Sequence, residues 1–297
     1  MEMKNIWNKI FILCVLLISS FAEMGSGASN PPIDISAASG VNIFDSENRL
    51  EAYDQVSISR SEATIYGDKA TVFYEKKNDK RQPTQLRVTG KVISVSPQAT
   101  IYSNQAQYNV ATEQLSFLGR QIKLFGLSAN IKAHKNLDYY PQKKKAVARG
   151  SVEMVDIKSP QKLYGDELTF YFRDAGNEGG KPTKKKSPVQ SGAASDSSEM
   201  AHSIDYVEAH GHVKVVLPAK IATGDHASFK SGENVIEMWG NVLVTDDNKQ
   251  LRGAYAIVYK NEGQSKVYAE IPAHKAPKGQ PKKQQKNKRV KIVLLPQ

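Results

Sequence analysis

Two short phrases alternate along this chain, and their spacing constrains the fold more than any single residue does. Within residues 207–259 the first phrase, Gly-x-Val-x-Val, stands at Gly211 and Gly240. The second, Gly-(Asp)-x-Ala-x closing on a large apolar residue, stands at Gly224 and Gly253. Gly211 to Gly224 is 13 positions, Gly240 to Gly253 is again 13, and the pair recurs after 29. Self-similarity at a fixed period predicts a stack of one structural unit, each copy burying its apolar side against its neighbours.

The phrases extend well beyond that stretch. The second returns as Gly67-Asp68-Lys69-Ala70-Thr71-Val72, Ser103-Asn104-Gln105-Ala106-Gln107-Tyr108, Gly126-Leu127-Ser128-Ala129-Asn130-Ile131 and Gly165-Asp166-Glu167-Leu168-Thr169-Phe170. The first recurs around Gly90, Gly119 and Gly150, with Asp54 in the glycine's place at the start. Alternation is clear from Ala52 to Ile58 and from Val88 to Val92, and no segment sustains a 3.6-residue period, so strands dominate and helices are few and short.

A side-chain period of two assigns the faces. In the first phrase the apolar parity carries Val56, Ile58, Val92, Phe117, Val152, Met154, Val213, Val215, Met238, Val242 and Val244. In the second it carries Val72, Tyr108, Ile131, Leu168, Phe170, Phe229 and Val258. The opposite parity is wet, with Lys91, Glu153, Lys214, Glu237, Thr71 and Thr169. Two phrases per unit predict two antiparallel sheets opening like a bent page. The recurring Ala and Gly leave room beside the large residues, so the apolar interior is expected not to fill itself. Six units at about 4.8 Å each give a stack of roughly 30 Å. Its edges are expected at residues 41–44 and 50–58, and at 254–259 and 267–271. A parallel β-helix stacks similarly, but its rungs are shorter and more uniform.

The ends read differently from the body. Lys4 and Lys9 precede a short apolar run at residues 10–18, followed by small residues, so residues 1–28 read as a cleaved secretory signal. The single cysteine, Cys14, lies inside that run, so the exported body has no disulfide. Of the net charge of +11, residues 275–297 carry +8 and residues 1–22 carry +1, leaving +2 for the rest. The stretch 174–200 is rich in Gly, Ser and Lys and reads as a disordered insert within a folded region at 41–271; 272–297 is a basic tail, in which residues 290–295 could form a last strand.

The phrases Ala148-Arg149-Gly150-Ser151-Val152 and Ala209-His210-Gly211-His212-Val213, with the Gly-Asp-x-Ala copies, resemble the OstA-like (LptA) family of lipopolysaccharide-transport proteins over roughly residues 41–270. The resemblance implies a twisted antiparallel β-jellyroll with a V-shaped open groove. It also implies that the eighteen apolar residues named above line the groove and shield lipopolysaccharide acyl chains. By the same resemblance the location is the periplasm, and the partners are inner- and outer-membrane transport proteins and further copies joined head to tail through edge strands. The chain departs from the family pattern in the insert, the basic tail and the short interval between Gly119 and Gly126.

Other chemistries find less support. His202, His210, His212 and His226 with Asp205 and Asp225 are candidate metal ligands, yet they lie on the wet parity and no third ligand is fixed by spacing, so no metal or other cofactor is expected. Asp68, Asp166 and Asp225, each directly after a glycine, read as turn residues. The stretch from Gly176 to Pro182 lacks phosphate-loop spacing, and no nucleophile-elbow motif occurs in the body. The basic tail suits an anionic membrane surface or lipid phosphates, or simple solubility; an exported chain has no nucleic-acid partner. The reading is therefore a carrier and not an enzyme. Its alternatives are a structural sheet-stacking adaptor with a closed core and a secreted polysaccharide-active β-solenoid.

Overall fold

The computed structural model describes residues 33–60, 62–77, 80–127, 129–157, 160–173, 203–230, 232–246, 249–260, 264–276 and 289–294. The expected signal segment, insert 174–200, His202 and most of the basic tail lie outside them. The described chain is strand almost throughout, with two single-turn 3-10 segments at Asp45–Glu47 and Pro141–Lys143.

The strands are β1 (Asp34–Ser36), β2 (Gly40–Phe44), β3 (Arg49–Arg60), β4 (Ala63–Lys77), β5 (Lys80–Val95) and β6 (Ala99–Asn109). Four short ones follow, β7 (Gln114–Leu118), β8 (Ile122–Gly126), β9 (Ala129–Ala133) and β10 (Asn136–Tyr140). Then come β11 (Lys145–Asp156), β12 (Lys162–Arg173), β13 (Ser203–Leu217), β14 (Lys220–Lys230), β15 (Val235–Asp246) and β16 (Lys249–Tyr259). The chain closes with β17 (Ser265–Tyr268) and β18 (Lys291–Leu294). Every pairing is antiparallel, and the long strands pair with their sequence neighbours, β3 through β6 and β11 through β16.

Every second long strand (β3, β5, β11, β13 and β15) is interrupted at the first phrase. Gly90-Lys91, Gly150-Ser151, Gly211-His212 and Gly240-Asn241 take positive φ at both residues, and Asp54-Gln55 does so without a glycine. In the pairings β3–β4, β11–β12 and β13–β14, two residues of this kind oppose one residue of the partner, Asp68, Asp166 and Asp225 respectively. Two residues opposite one is a β-bulge, which bends a strand and raises its twist. Aligned from strand to strand, the bulges form a spine that divides the sheet into two arms. A flat sheet would leave one of its faces in water along its whole length. Here the inner-parity residues of both arms are buried in one apolar cluster, so the sheet is folded on itself along the spine.

Several expectations change. Asp68, Asp166 and Asp225 are mid-strand residues at the spine, because the extra residue of the facing strand makes room there for a short polar side chain. Gly126 is not a spine residue; it ends β8 opposite Ala99, far from the bulges. In that unit the long strand is broken in two, β7 with β8 and β9 with β10, and His134-Lys135 occupies the spine against Gly150. Neither β3 nor β16 is an edge: β1 and β2 cover β3, and β17 and β18 cover β16. The strand expected at 290–295 is β18. Each unit contributes two strands to the ladder, so fourteen places in hydrogen-bonded order give a stack of about 60 Å, twice the sequence expectation.

Candidate functional site

The inner surface belongs to both arms. The first arm carries Val72, Tyr108, Phe117, Leu168, Phe170, Phe229, Met238 and Val258; the second carries Val56, Ile58, Val92, Ile131, Val152, Met154, Val213, Val215, Val242 and Val244. All eighteen thus share the inner face, as their parity requires. Sixteen are buried; Val72 and Phe229 are half-buried.

That burial revises the expected vacancy. Along much of the stack the space between the arms is taken by the protein's own side chains. The cause is the ring of alanines next to the spine, Ala52, Ala70, Ala106, Ala148, Ala209, Ala227 and Ala256, all fully or nearly fully buried. Small residues let the facing arms approach instead of holding a cavity open, and a close-packed interior gains dispersion contacts that a void forfeits.

A pocket remains at the open end of the fold, opposite the spine. Met154, Leu163, Val215 and Leu217 of the second arm face Phe229 and Ile236 of the first, with Asp156, Gln161, Lys162 and Lys260 at its rim. Its empty space, counted out into the solvent at its mouth, is about 460 Å³, and its wall is mainly apolar. Sequence parity found Met154, Val215 and Phe229. It missed Leu217 and Ile236, which obey the same alternation but stand toward the strand ends, and Leu163, whose inward phase is opposite to that of Leu168 and Phe170 because the strand changes phase at Gly165-Asp166.

Cations gather at this mouth. Lys260 follows directly on β16, is 8% exposed, and holds its ammonium 5.0 Å from the centre of the Phe229 ring. Burial pulls its pKa down to about 8, partly offset by Glu233 and Asp156. Lys220, at the tip of the second arm, crosses to the first: its Nζ donates to the Gln264 carbonyl at 3.1 Å and lies 3.4 Å from Ser265 Oγ. Arg60 ends β3 with the same inward parity and is also buried, but many strands away from this pocket.

The histidines lie on the outside. His210 and His226 are register partners with their Nδ1 atoms 2.9 Å apart, and His226 stacks on Trp239 with ring centres 5.4 Å apart. Burial, then the neighbouring His210, lowers the His226 pKa. The bulge turns His212 away from this pair, so that its Nδ1 sits 2.8 Å from Asp166 Oδ2. Asp205 pairs with Arg173, and Asp225 accepts from Asn241 Nδ2 at 2.8 Å. The His-x-His spacing therefore does not converge on one point. Lys275 crosses the same outer face, 4.8 Å from the Trp239 ring centre, and pairs with Glu237 at 2.8 Å.

Residues 130–264 match the model of the family described as "LptA/(LptD N-terminal domain) LPS transport protein". Every residue lining the mouth pocket falls inside that segment. No curated protein matches the sequence. Among solved structures, the chain is similar to LptH of Pseudomonas aeruginosa, described as the LptA homologous periplasmic component of the conserved lipopolysaccharide transport device. The two share 12% identity over 54% of this chain and 96% of that one, with a TM-score of 0.23. The matched family is one of transport proteins, not enzymes. Over residues 130–264, somewhat under half of its length, the chain is therefore similar to the LptA/(LptD N-terminal domain) family of LPS transport proteins.

Proposed function

We propose that the chain is a periplasmic carrier that shields lipopolysaccharide acyl chains between its two arms on their way from the inner to the outer membrane. Residues 1–28 then serve as the export signal, and 41–271 as the carrier body with its insert at 174–200 and its basic tail from 272. The observation that carries this reading is the apolar pocket at the mouth, built from both arms and lying wholly in the family-matched segment. Withdrawing a chain of about twelve methylenes from water is worth roughly 10 kcal/mol, at about 0.8 kcal/mol per CH₂. A carrier handling that quantity needs similar apolar surface in every unit, so that the chain passes along without a deep trap. The repeat supplies it through Val56, Ile58, Val92, Val152, Val213, Val215, Val242 and Val244 in one arm and Val72, Tyr108, Phe170, Phe229 and Val258 in the other. Because the arms close on themselves, loading requires them to part at the mouth, with the bulged spine as hinge. Short covering strands at both ends of the stack offer backbone groups to neighbouring transport proteins or to a further copy.

The burial of sixteen lining residues favours a second reading, a sheet-stacking adaptor with a permanently closed core. A photo-reactive side chain at Phe229, and separately at Met238, distinguishes the two. The carrier forms lipopolysaccharide adducts first at Phe229, beside the mouth, and more weakly at the deeper Met238. Absence of adducts at both positions establishes the adaptor.

A further inference from the structure

Charged side chains line the mouth pocket, Lys162 and Lys260 with Asp156. Among the described residues, the buried charged side chains are Glu51, Arg60, Asp138, Lys220 and Lys260. Glu51 and Asp138 share the outer parity of Thr71 and Thr169 and are held from outside by Arg49 and Lys69, and by Arg149. The inward three are all cations at strand ends: Arg60 on β3, toward the other end of the stack, and Lys220 and Lys260 near the pocket. Of these, Lys260 alone lines the pocket.

We propose that Lys260 receives the acid group of an anionic amphiphile whose alkyl chain occupies the pocket, so that the mouth selects acid-bearing lipids over neutral ones. This rests on the carrier reading above. An ammonium at the rim of an apolar wall matches a ligand that is apolar along its length and anionic at one end. The groups facing Lys260 include Asp156 from the second arm, Glu233 beyond β14 and the Phe229 ring, and Lys162 also lines the pocket. The two carboxylates hold the ammonium electrostatically while the site is empty. An arriving phosphate gains a charge-assisted hydrogen bond in a setting from which water is largely excluded, where such bonds are strongest. The lowered pKa of Lys260 reports the same desolvation. The order of burial is consistent with this assignment: Phe229, directly beneath the ammonium, is one of the two lining residues left half-buried.

The test is calorimetric titration of the full chain with octyl phosphate, 1-octanol and inorganic phosphate, in the wild type and in Lys260→Met and Lys260→Arg. The wild type is expected to prefer octyl phosphate to octanol by about tenfold. Lys260→Met abolishes that preference while octanol still binds, which also shows that the pocket is intact; Lys260→Arg keeps the preference. A preference that survives Lys260→Met, or an equal loss for both octyl compounds, overturns the assignment. Inorganic phosphate that displaces octyl phosphate at equal concentration marks a free-anion site and overturns it as well. Octanol binding without any phosphate preference in the wild type removes this proposal alone, whereas binding of neither octyl compound removes the carrier reading beneath it.

Discussion

At the residue scale, the two phrases of the repeat prove to be halves of one lock. A Cβ on Gly90, Gly211 or Gly240 would fall 2.1, 2.3 or 2.5 Å from a carboxylate oxygen of Asp68, Asp166 or Asp225, the second-phrase aspartate of the preceding strand. At Gly119 the same place is taken by Asn104 Oδ1, at 2.5 Å. The aspartate needs a glycine to lie over, and the glycine needs positive φ to turn the strand, so neither phrase works alone. Asn241, next to Gly240, donates to the same Asp225 and closes the lock. Gly240→Ala is therefore expected to cost about 2–3 kcal/mol, the sum of left-handed backbone strain and displacement of Asp225. Asp225→Ala alone should cost under about 1 kcal/mol, since the carboxylate is accessible to water. In the double variant the clash is relieved but the strain remains, so the loss should fall short of the sum by roughly 0.5–1 kcal/mol. Urea unfolding of the four proteins measures this, and strict additivity would show that aspartate and glycine do not interact. The sequence displayed the recurrence of glycine and aspartate but not their meeting, because the contact joins residues some 15 to 45 positions apart whose alignment depends on register.

At the scale of elements, parity survived the bulges, and for a physical reason. A bulged strand inserts two left-handed residues together, so Val88 and Val92, or Val213 and Ala209, still point the same way across the spine. That is why the inner face was legible along the whole of the bulged strands, whereas on their partners the buried parity shifts at the spine, from Ile65 to Ala70, Ile101 to Ala106, Leu163 to Leu168 and Ala222 to Ala227. The strand breaks at β7–β8 and β9–β10 were not, since the glycine spacing alone gives the same sign for a bulge and for a gap. The covering strands at the ends were half legible: their apolar residues were visible, while their short pairing with β3 and β16 was not. Strand β18 lies on Lys249–Arg252 by four register pairs, and Ile292 and Leu294 are 65% and 70% exposed. It buries too little to stabilise the fold appreciably, yet it shields the backbone edge of β16. Truncation after Ala276 is expected to shift the melting temperature by no more than about 2 °C. It should also raise concentration-dependent self-association, because an uncovered edge pairs with another edge. Sedimentation velocity over a concentration series checks this, and an unchanged profile would mean that β18 guards nothing.

For the whole molecule, the question is whether two arms that share a packed core can part. The geometry distributes resistance unevenly. Near the spine, Ala52, Ala70, Ala148, Leu168, Met238 and Ala256 are wholly buried, and separating them would expose apolar surface over the full length of the stack. At the mouth, the pocket already interrupts the contact, and the polar link there is Lys220 reaching Gln264 and Ser265. On the proposed carrier reading, opening would begin at the mouth and stop short of the spine, with a lipid chain held between the arm tips while the spine stays shut. This separates two positions that look alike in sequence. Val215 lines the pocket, so an aspartate there can turn its carboxylate toward the mouth and the rim cations; Val215→Asp should lose lipid capture with a stability loss of roughly 1–2 kcal/mol. Val244 is equally apolar and carries the same parity, but it is not a pocket residue and is 1% exposed. A carboxylate there has no route to water, so Val244→Asp should cost roughly 3–5 kcal/mol and unfold the second arm. Circular dichroism melts paired with lipopolysaccharide co-purification distinguish the outcomes. Equal tolerance at both positions would mean the arms separate down to the spine, and equal unfolding would mean that they do not separate at all.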